Sequence, residues 1–379
     1  MIRTLFAAAV AAIAIVFGSA PSLAQNAYIT NGGDGTVSVI ATPSDTVTAT
    51  IAVGAAPLGV AVTPDGSHVY VTNANSNNVS VIETSTYTVI ATIPVGFSPS
   101  GVAVTPDGGT VYVANWSNWI ENTVSVIATA SNTVTATIHV GIGPIAVAVS
   151  PDGNKLYVTS AGTNAVSVIA TASNTVIATI PTGSSLPYGV AVSPDGSNVY
   201  VANKNSNTVS VIATSSNMVT ATIPVGGAPI GVAVTPDGGN VYVTNAGSND
   251  VSVIATSSNM VVATIPVGSK PAGVSITPDG SKVYVANQAS NNVSVIATST
   301  NTVTASIPVG SLPAALGVFI QPAEPPITFA GTPGNKTCHG DSVAALTSQF
   351  GNVNTASDAL GFSSVRSLQN AIWAFCRVS

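Results

Sequence analysis

Residues 99–140 read PSGVAVTPDGGTVYVANWSNWIENTVSVIATASNTVTATIHV, and the pattern of this stretch decides the fold. It contains four short segments in which Val or Ile alternates with Thr, Ser or Ala. This period of two and the many β-branched residues are typical of β-strands. P-D-G at 106–108 and S-N-T at 131–133 supply the turn residues between segments. The stretch therefore predicts a sheet of four short strands.

The same unit recurs along residues 28–322, with a period near 42 residues. Two sequence blocks each occur seven times, in phase with one another. The P-D-G turn recurs with them, and successive copies of the turn are 42 to 45 residues apart. The block Tyr-(Val/Ile)-(Thr/Ala)-(Asn/Ser) begins at Tyr28, Tyr70, Tyr112, Tyr157, Tyr200, Tyr242 and Tyr284. The block V-S-V-I begins at Val37, Val79, Val124, Val166, Val209, Val251 and Val293. A period near 42 with four strands per repeat is typical of the blades of a β-propeller.

The two ends of the repeat region predict how the ring closes. The first unit begins at its second strand, residues 27–31, and the missing first strand appears after the last unit as residues 316–320. Pairing of the last strand with the first would leave no unpaired edge at the junction. We therefore expect an all-β, seven-bladed propeller with four-stranded blades, and a parallel β-helix is the alternative architecture.

The repeated Y-V-T-N, V-S-V-I and P-D-G blocks resemble the YVTN-type β-propeller repeat family of exported bacterial and archaeal proteins. The resemblance covers about 295 residues of the chain. It implies the propeller fold but no single activity, because the superfamily includes haem- and quinone-linked oxidoreductase subunits, lactonases, surface-layer proteins and binding modules.

Composition and the N-terminus indicate an exported protein that does not bind nucleic acid. Charged residues make up 6% of the chain, and the 8 Lys and Arg residues are too few and too scattered for a phosphate-binding surface. Residues 1–24 carry Arg3, an apolar stretch and small residues before Ala24, as a secretory signal peptide does. The expected mature chain begins at Gln25 and lies in the periplasm or at the cell surface, with no later membrane span.

The composition changes after Pro322. Residues 323–337 form a Pro- and Gly-rich linker, and residues 338–379 predict a small helical module of three short helices. Cys338 and Cys376 are the two cysteines of the chain and bracket this module. An even pair in an exported chain predicts a disulfide bond, which a module of this size needs for stability.

The residue inventory gives little support to catalysis, and it predicts no cofactor and no metal site. The three histidines, His68, His139 and His339, are far apart in the chain. Turn chemistry accounts for the six Asp residues of the P-D-G turns. The innermost strands read G-V-A-V and offer no carboxylate for the divalent cation that a lactonase-type site would require.

The best candidate binding site lies in the third repeat. There the distance from Tyr112 to Val124 is 12 residues, against 9 in the other six repeats, and the insertion places Trp116, Trp119 and Glu121 in one loop. The preceding loop adds Phe97, and the one-residue-longer loop two blades on adds Tyr188, since both should reach the same face. Aromatic side chains on a polar rim favour stacking on sugars or anchoring of a protein. The alternative is that the Trp pair merely folds over its own loop.

The same face should carry the Asn of the Y-V-x-N block, which is expected mainly to shape turns. We interpret the chain as an exported, non-catalytic binding or scaffold module whose loop face holds an unknown protein or glycan partner. A lactonase-like hydrolase with a channel-bound cation and a structural surface-layer or adhesive protein are the alternatives.

Overall fold

The computed structural model describes residues 25–116, 122–183 and 185–322, together with positions 343, 344, 369 and 372. Within these ranges the chain forms six four-stranded antiparallel sheets and one three-stranded sheet, which are the seven blades of a propeller. Gln25–Glu324 forms one compact unit. The predicted all-β propeller is confirmed.

The strands follow one another blade by blade, each blade running from the central channel outwards. Blade 1 holds β1 (Asn26–Asn31), β2 (Thr36–Ala41) and β3 (Thr46–Ala52), and blade 2 holds β4 (Pro57–Val62), β5 (His68–Asn73), β6 (Asn78–Glu83) and β7 (Thr88–Pro94). Blade 3 holds β8 (Pro99–Val104), β9 (Thr110–Asn115), β10 (Thr123–Ala128) and β11 (Thr133–His139), and blade 4 holds β12 (Pro144–Val149), β13 (Lys155–Ser160), β14 (Ala165–Ala170) and β15 (Thr175–Pro181). Blade 5 holds β16 (Pro187–Val192), β17 (Asn198–Asn203), β18 (Thr208–Ala213) and β19 (Met218–Pro224), and blade 6 holds β20 (Pro229–Val234), β21 (Asn240–Asn245), β22 (Asp250–Ala255) and β23 (Met260–Pro266). Blade 7 holds β24 (Pro271–Ile276), β25 (Lys282–Asn287), β26 (Asn292–Ala297) and β27 (Thr302–Pro308).

The two middle strands of each blade are buried on both faces, because every sheet packs between two neighbours. In β5, both Val69 and Tyr70 are buried although their side chains point to opposite faces. The Tyr70 hydroxyl donates a hydrogen bond of 2.8 Å to Asn132 Oδ1, which lies in the outer turn of the next blade. Tyr112 and Tyr242 bond to an Asn of the next blade in the same way, so the tyrosine of the repeat is a core residue that in these blades also links neighbours.

The outermost strands are exposed, uncharged edges, and a bulge interrupts each of them. In blade 1, Val39 pairs with Ala49 and Ile40 with Val47, so that Thr48 is the extra residue on the outer strand. The equivalent register shift occurs in all six other blades. Since a bulge bends and twists the strand, it makes this row of free backbone groups a poorer template for pairing with another chain.

The ring closes where predicted, but the closing segment is not a regular strand. Residues 311–321 pair with β1 through isolated bridges, Asn31 with Pro313 and Ala27 with Ile320. The Tyr28 amide donates to the Phe319 carbonyl at 2.9 Å. Nine residues separate Pro313 from Pro322, against seven between Pro57 and Pro64 in blade 2, so two extra residues disturb the ladder. The predicted strand at 316–320 is thus corrected to an irregular segment.

Neighbouring blades also contact each other through the backbone of their innermost strands. The Thr72 hydroxyl accepts a hydrogen bond from the Gly59 amide at 2.8 Å and donates to the Ser100 carbonyl of the next blade at 2.6 Å. A Cβ atom on Gly59 would lie 2.2 Å from the Ser100 oxygen. Glycine is therefore required here by the close approach of the two strands.

The predicted signal peptide, the linker and the disulfide between Cys338 and Cys376 lie outside the described residues. In the tail, Val343, Ala344, Gln369 and Ile372 are helical. Across the described part of the chain, no helix is both long enough and apolar enough to cross a membrane.

Candidate functional site

Two loops of blade 3 expose aromatic side chains on what we call the loop face. This face is formed by the loops that connect the second and third strands within a blade and by the loops that lead from one blade to the next. Phe97, between β7 and β8, is 55% exposed, and Trp116, directly after β9, is 38% exposed. The Trp116 amide donates to the Ser98 carbonyl at 3.2 Å, which fixes the two loops side by side. The structure therefore brings together two of the predicted contact residues.

The inserted segment of blade 3 is anchored at both ends. Trp116 bonds to the loop of Phe97, and Asn122 bonds to the following loop between β11 and β12. In that second contact the Gly143 amide donates to Asn122 Oδ1 at 2.9 Å. Trp119 and Glu121, which the sequence also predicts to be contact residues, lie outside the described residues.

The second anchor adds an apolar residue that the sequence analysis missed. Ile142 lies in the loop fixed by Asn122 and is 42% exposed. The sequence does contain a sign of this exposure. Ile142 lies between Gly141 and Gly143, which have no side chains that could cover it. Phe97, Trp116 and Ile142 are the exposed apolar residues of this part of the loop face, and we call them the blade 3 patch.

Tyr188 does not belong to the blade 3 patch. It is the second residue of β16 in blade 5 and lines the central channel, rather than a loop as the sequence had suggested. Its ring lies 5.0 Å from the Lys204 ammonium group, at cation–π distance. Burial raises the pKa of the Tyr188 hydroxyl, so it stays protonated at neutral pH.

The Asn residues of the Y-V-x-N block are structural, but for a different reason from the one predicted. They end the corresponding strand in six of the seven blades, with Ser160 at this position in blade 4, and they are fully buried instead of shaping turns. The Asn73 amide group donates to Asn78 Oδ1 and Ser80 Oγ at 2.8 and 2.9 Å, and its Oδ1 accepts from the Gly54 amide at 3.1 Å. These contacts place the side chains beneath the loops, where they cannot reach a ligand.

A second set of Asn side chains, missed by the sequence analysis, locks the loops of this face together. Each has a positive φ angle between +49° and +59° and accepts a hydrogen bond from a backbone amide in the following loop. The set comprises Asn77, Asn122, Asn164, Asn207, Asn249 and Asn291. In the sequence these residues are marked by an Asn two positions before V-S-V. Asn tolerates a positive φ angle better than most residues do. Loop positions on this face are therefore preorganised.

The opposite face carries the P-D-G turns, and we call it the turn face. Each Asp caps its own turn, as predicted: Asp195 Oδ1 accepts from Ser193 Oγ at 2.5 Å and from the Ser197 amide at 3.0 Å. These bonds lower the pKa of Asp195 to about 2. The turns are structural units, and their carboxylates stay ionised at neutral pH.

The central channel contains a cavity of about 530 Å³. Its described lining consists of Ala, Val, Ile, Leu, Gly and Pro residues together with Ser150, Ser275 and Tyr188. Tyr188 is the one titratable side chain among these lining residues. Over the described ranges, no group of three or more His, Cys, Asp or Glu side chains is placed to hold a metal ion.

Comparison with known proteins identifies relatives for most of the propeller. The model of the virginiamycin B lyase family matches residues 89–314, more than half of the chain. The structure of Kuenenia stuttgartiensis hydrazine synthase aligns at 30% sequence identity with a TM-score of 0.67, over 72% of this chain and 92% of that chain. No curated protein matches the sequence.

Two further structures share the fold at lower identity. A functionally unknown protein from Desulfotomaculum acetoxidans aligns at 19% identity and a TM-score of 0.68, covering 77% of this chain and all of that chain (100%). The dihydro-heme d1 dehydrogenase NirN, in complex with DHE, aligns at 15% identity and a TM-score of 0.58, covering 78% of this chain and 75% of that chain. The family match is consistent with the seven-bladed propeller that the structure shows. The assignment to the YVTN-type repeat family stays a prediction. The chain belongs to the virginiamycin B lyase family of β-propellers.

Proposed function

We propose that this protein is an exported, non-catalytic binding module that holds a protein partner on the blade 3 patch. The observation that carries the proposal is the exposure of Phe97 and Trp116 on two loops joined by a backbone hydrogen bond. Large aromatic residues on a fixed backbone lose little conformational entropy when a partner covers them, and Trp is enriched among residues that dominate binding energy.

A protein partner is favoured over a glycan by the third member of the patch. Ile142 is aliphatic, so it adds apolar area without the flat ring that stacks on a sugar. The low charge of the chain, 6% of residues, favours a contact driven by apolar burial. The predicted residues Trp119 and Glu121 belong to the same inserted loop and would extend the contact.

A lyase acting on virginiamycin B is the second candidate function, and the family match over residues 89–314 favours it. Elimination requires a group that removes a proton. Among the described residues that line the channel, Tyr188 alone could titrate, and burial raises its pKa. The described geometry therefore supports binding better than catalysis.

The test uses the full chain as bait in an extract of the exported proteins of the source organism, followed by calorimetry with each captured protein. The double variant Phe97→Ser/Trp116→Ser should weaken binding by at least about 30-fold, because a single residue of this kind contributes about 2 kcal/mol or more. The matched control is Ile90→Ser/Ile177→Ser, which removes two exposed apolar side chains (48% and 52%) from outer strands.

The control variant should bind as the unchanged protein does. Equal binding by both double variants would contradict the proposed site. A glycan that binds the bait through the same two residues would replace the protein partner. If chromatography shows that the purified protein consumes virginiamycin B, the lyase candidate would be established instead.

A further inference from the structure

Val318, in the closing segment, exposes its side chain inside the channel. It is 66% exposed and lines the cavity. The equivalent valine in the other blades follows a small inner-strand residue, which is Gly or, in blade 4, Ala. At that position Val60, Val102, Val147 and Val274 are between 0% and 7% exposed, and Val190 and Val232 are half-buried. Val318 is therefore the most exposed valine at this position of the ring, and the described residues leave its side chain open to the channel.

The cause is the irregular backbone of the closing segment. Gly317 has a φ angle of +127°, which other residues rarely adopt, and it follows the two-residue insertion. The segment bonds to blade 2 in parallel fashion, since the amides of Val60 and Val62 donate to the carbonyls of Leu316 and Val318 at 3.0 and 3.1 Å. Phe319 is fully buried on the other side, and this fixes the direction in which Val318 points.

The cavity around Val318 has the size and the lining of a small-molecule site. Its volume of about 530 Å³ lies within the range of about 300–1,000 Å³ that ligand pockets occupy. Valine, alanine and proline form most of the wall, and the hydroxyl of Ser275 replaces the alanine of Ala61, Ala103 and Ala233. A wall of this composition gains free energy from apolar contact and offers few hydrogen bonds to a polar ligand.

The mouth of the cavity on the turn face selects against negative charge. Six prolines at the ends of the inner strands line the cavity: Pro64, Pro106, Pro151, Pro236, Pro278 and Pro322. The first five belong to P-D-G turns, so a carboxylate follows each of them in the chain. Successive turns touch, because a Cβ atom on Gly108 would lie 3.7 Å from Pro64 Cδ of the preceding blade. A nearly continuous ring of carboxylates therefore repels anions.

From this geometry we infer that the channel binds one small, largely apolar molecule without negative charge, with Val318 as a wall of the site. This site is separate from the blade 3 patch, since neither Phe97 nor Trp116 lines the cavity. The inference does not depend on the proposed function, and either can fail alone.

The experiment titrates the full chain with two fluorescent probes that differ chiefly in charge. N-phenylnaphthylamine is neutral, and anilinonaphthalene sulfonate adds a negative sulfonate to a similar skeleton. We expect the neutral probe to saturate one site per chain and the sulfonate to bind at least about tenfold more weakly. Val318→Trp, which fills the cavity, should weaken binding of the neutral probe by about tenfold or more.

The matched control is Val262→Trp, the same substitution at a valine that is 58% exposed on the outer strand β23. It should leave the affinity for the neutral probe unchanged. Val318→Asp serves as a second variant of smaller volume and should also weaken binding, because it places a charge on the apolar wall. Circular dichroism establishes that each variant is folded.

The inference is overturned if folded Val318→Trp binds the neutral probe as the unchanged protein does. It is also overturned if Val262→Trp loses the probe equally, or if the sulfonate binds as tightly as the neutral compound.

Discussion

The ammonium group of Lys282 lies 2.8 Å from the carboxylate of Asp45, across the junction between the last blade and the first. The same carboxylate accepts a hydrogen bond of 2.5 Å from the Tyr284 hydroxyl. In five of the other blades an Asn takes this position, as Asn132 does for Tyr70, and in blade 2 Tyr87 takes it. The junction therefore carries an ion pair in addition to the contact that the interior blades use.

Removal of the Asp45 side chain should destabilise the protein by about 1–3 kcal/mol, because the largely buried Tyr284 hydroxyl loses its best acceptor and Lys282 its partner. Glycine is the suitable replacement, since Asp45 has a φ angle of +53°. Asp45→Asn keeps the acceptor for Tyr284 and loses only the ion pair, which should cost at most about 1 kcal/mol. Urea denaturation of the full chain measures both.

Asn132→Gly is the control, as it removes the same acceptor between two interior blades and breaks no ion pair. We expect Asp45→Gly to cost more than Asn132→Gly. Equal denaturation midpoints for Asp45→Gly and the unchanged protein would show that the junction does not limit stability.

Gly59→Ala should destabilise the propeller by about 1–3 kcal/mol, as overpacking of a close contact does. The added methyl group would lie 2.2 Å from the Ser100 carbonyl oxygen, which is backbone and has little room to move. Gly109→Ala is the matched control, because its nearest neighbour is Asp107 Oδ1 at 3.4 Å and its φ angle is not positive. The change at Gly109 should cost less than about 0.5 kcal/mol.

The urea midpoints of the two alanine variants measure this difference. A Gly59→Ala protein as stable as Gly109→Ala would refute the close approach of β4 and β8.

Stability should fall in acid between about pH 4 and pH 2, and it should be nearly constant from about pH 5 to pH 8. The Ser193 hydroxyl and the Ser197 amide lower the pKa of Asp195 from 3.8 to about 2. Because the folded pKa lies below the unfolded one, this carboxylate stabilises the fold above pH 4, and its contribution is lost as the pH falls towards 2. Hydrogen bonds from Thr105, Ser150 and Thr235 lower the pKa values of Asp107, Asp152 and Asp237 in the same direction.

An NMR titration of the Asp carboxyl carbons measures these pKa values directly. Ser193→Ala should raise the pKa of Asp195 towards its ordinary value. Ser173→Ala is the control, since the Ser173 hydroxyl bonds to Thr175 in an exposed turn and to no carboxylate among the described residues. An unshifted Asp195 in the Ser193 variant would refute the assigned cause.

The candidate site was predictable only in part. The insertion between Tyr112 and Val124 identified Trp116, because a break in a regular repeat is visible in the sequence. The loop before Tyr188 is one residue longer than the equivalent loops, which led to the prediction that Tyr188 lies in it. In the structure the extra residue lies before β16, and Tyr188 belongs to the strand. Ile142 was not predicted because its loop is fixed by a distant contact, the hydrogen bond from the Gly143 amide to Asn122, 21 residues earlier in the sequence.

The strands, the number of blades and the place of closure were predictable from the amino-acid sequence. Each of these follows from local patterns: the period of two, the turn residues, and seven copies of one unit. Which side chains are exposed depends instead on the folded arrangement of the blades. Val318 occupies the position of a valine that is buried or half-buried in the other blades, and it is exposed because two extra residues and Gly317 turn the closing backbone between two blades. Exposure depends on which distant strands meet at the channel, and no local pattern encodes that arrangement.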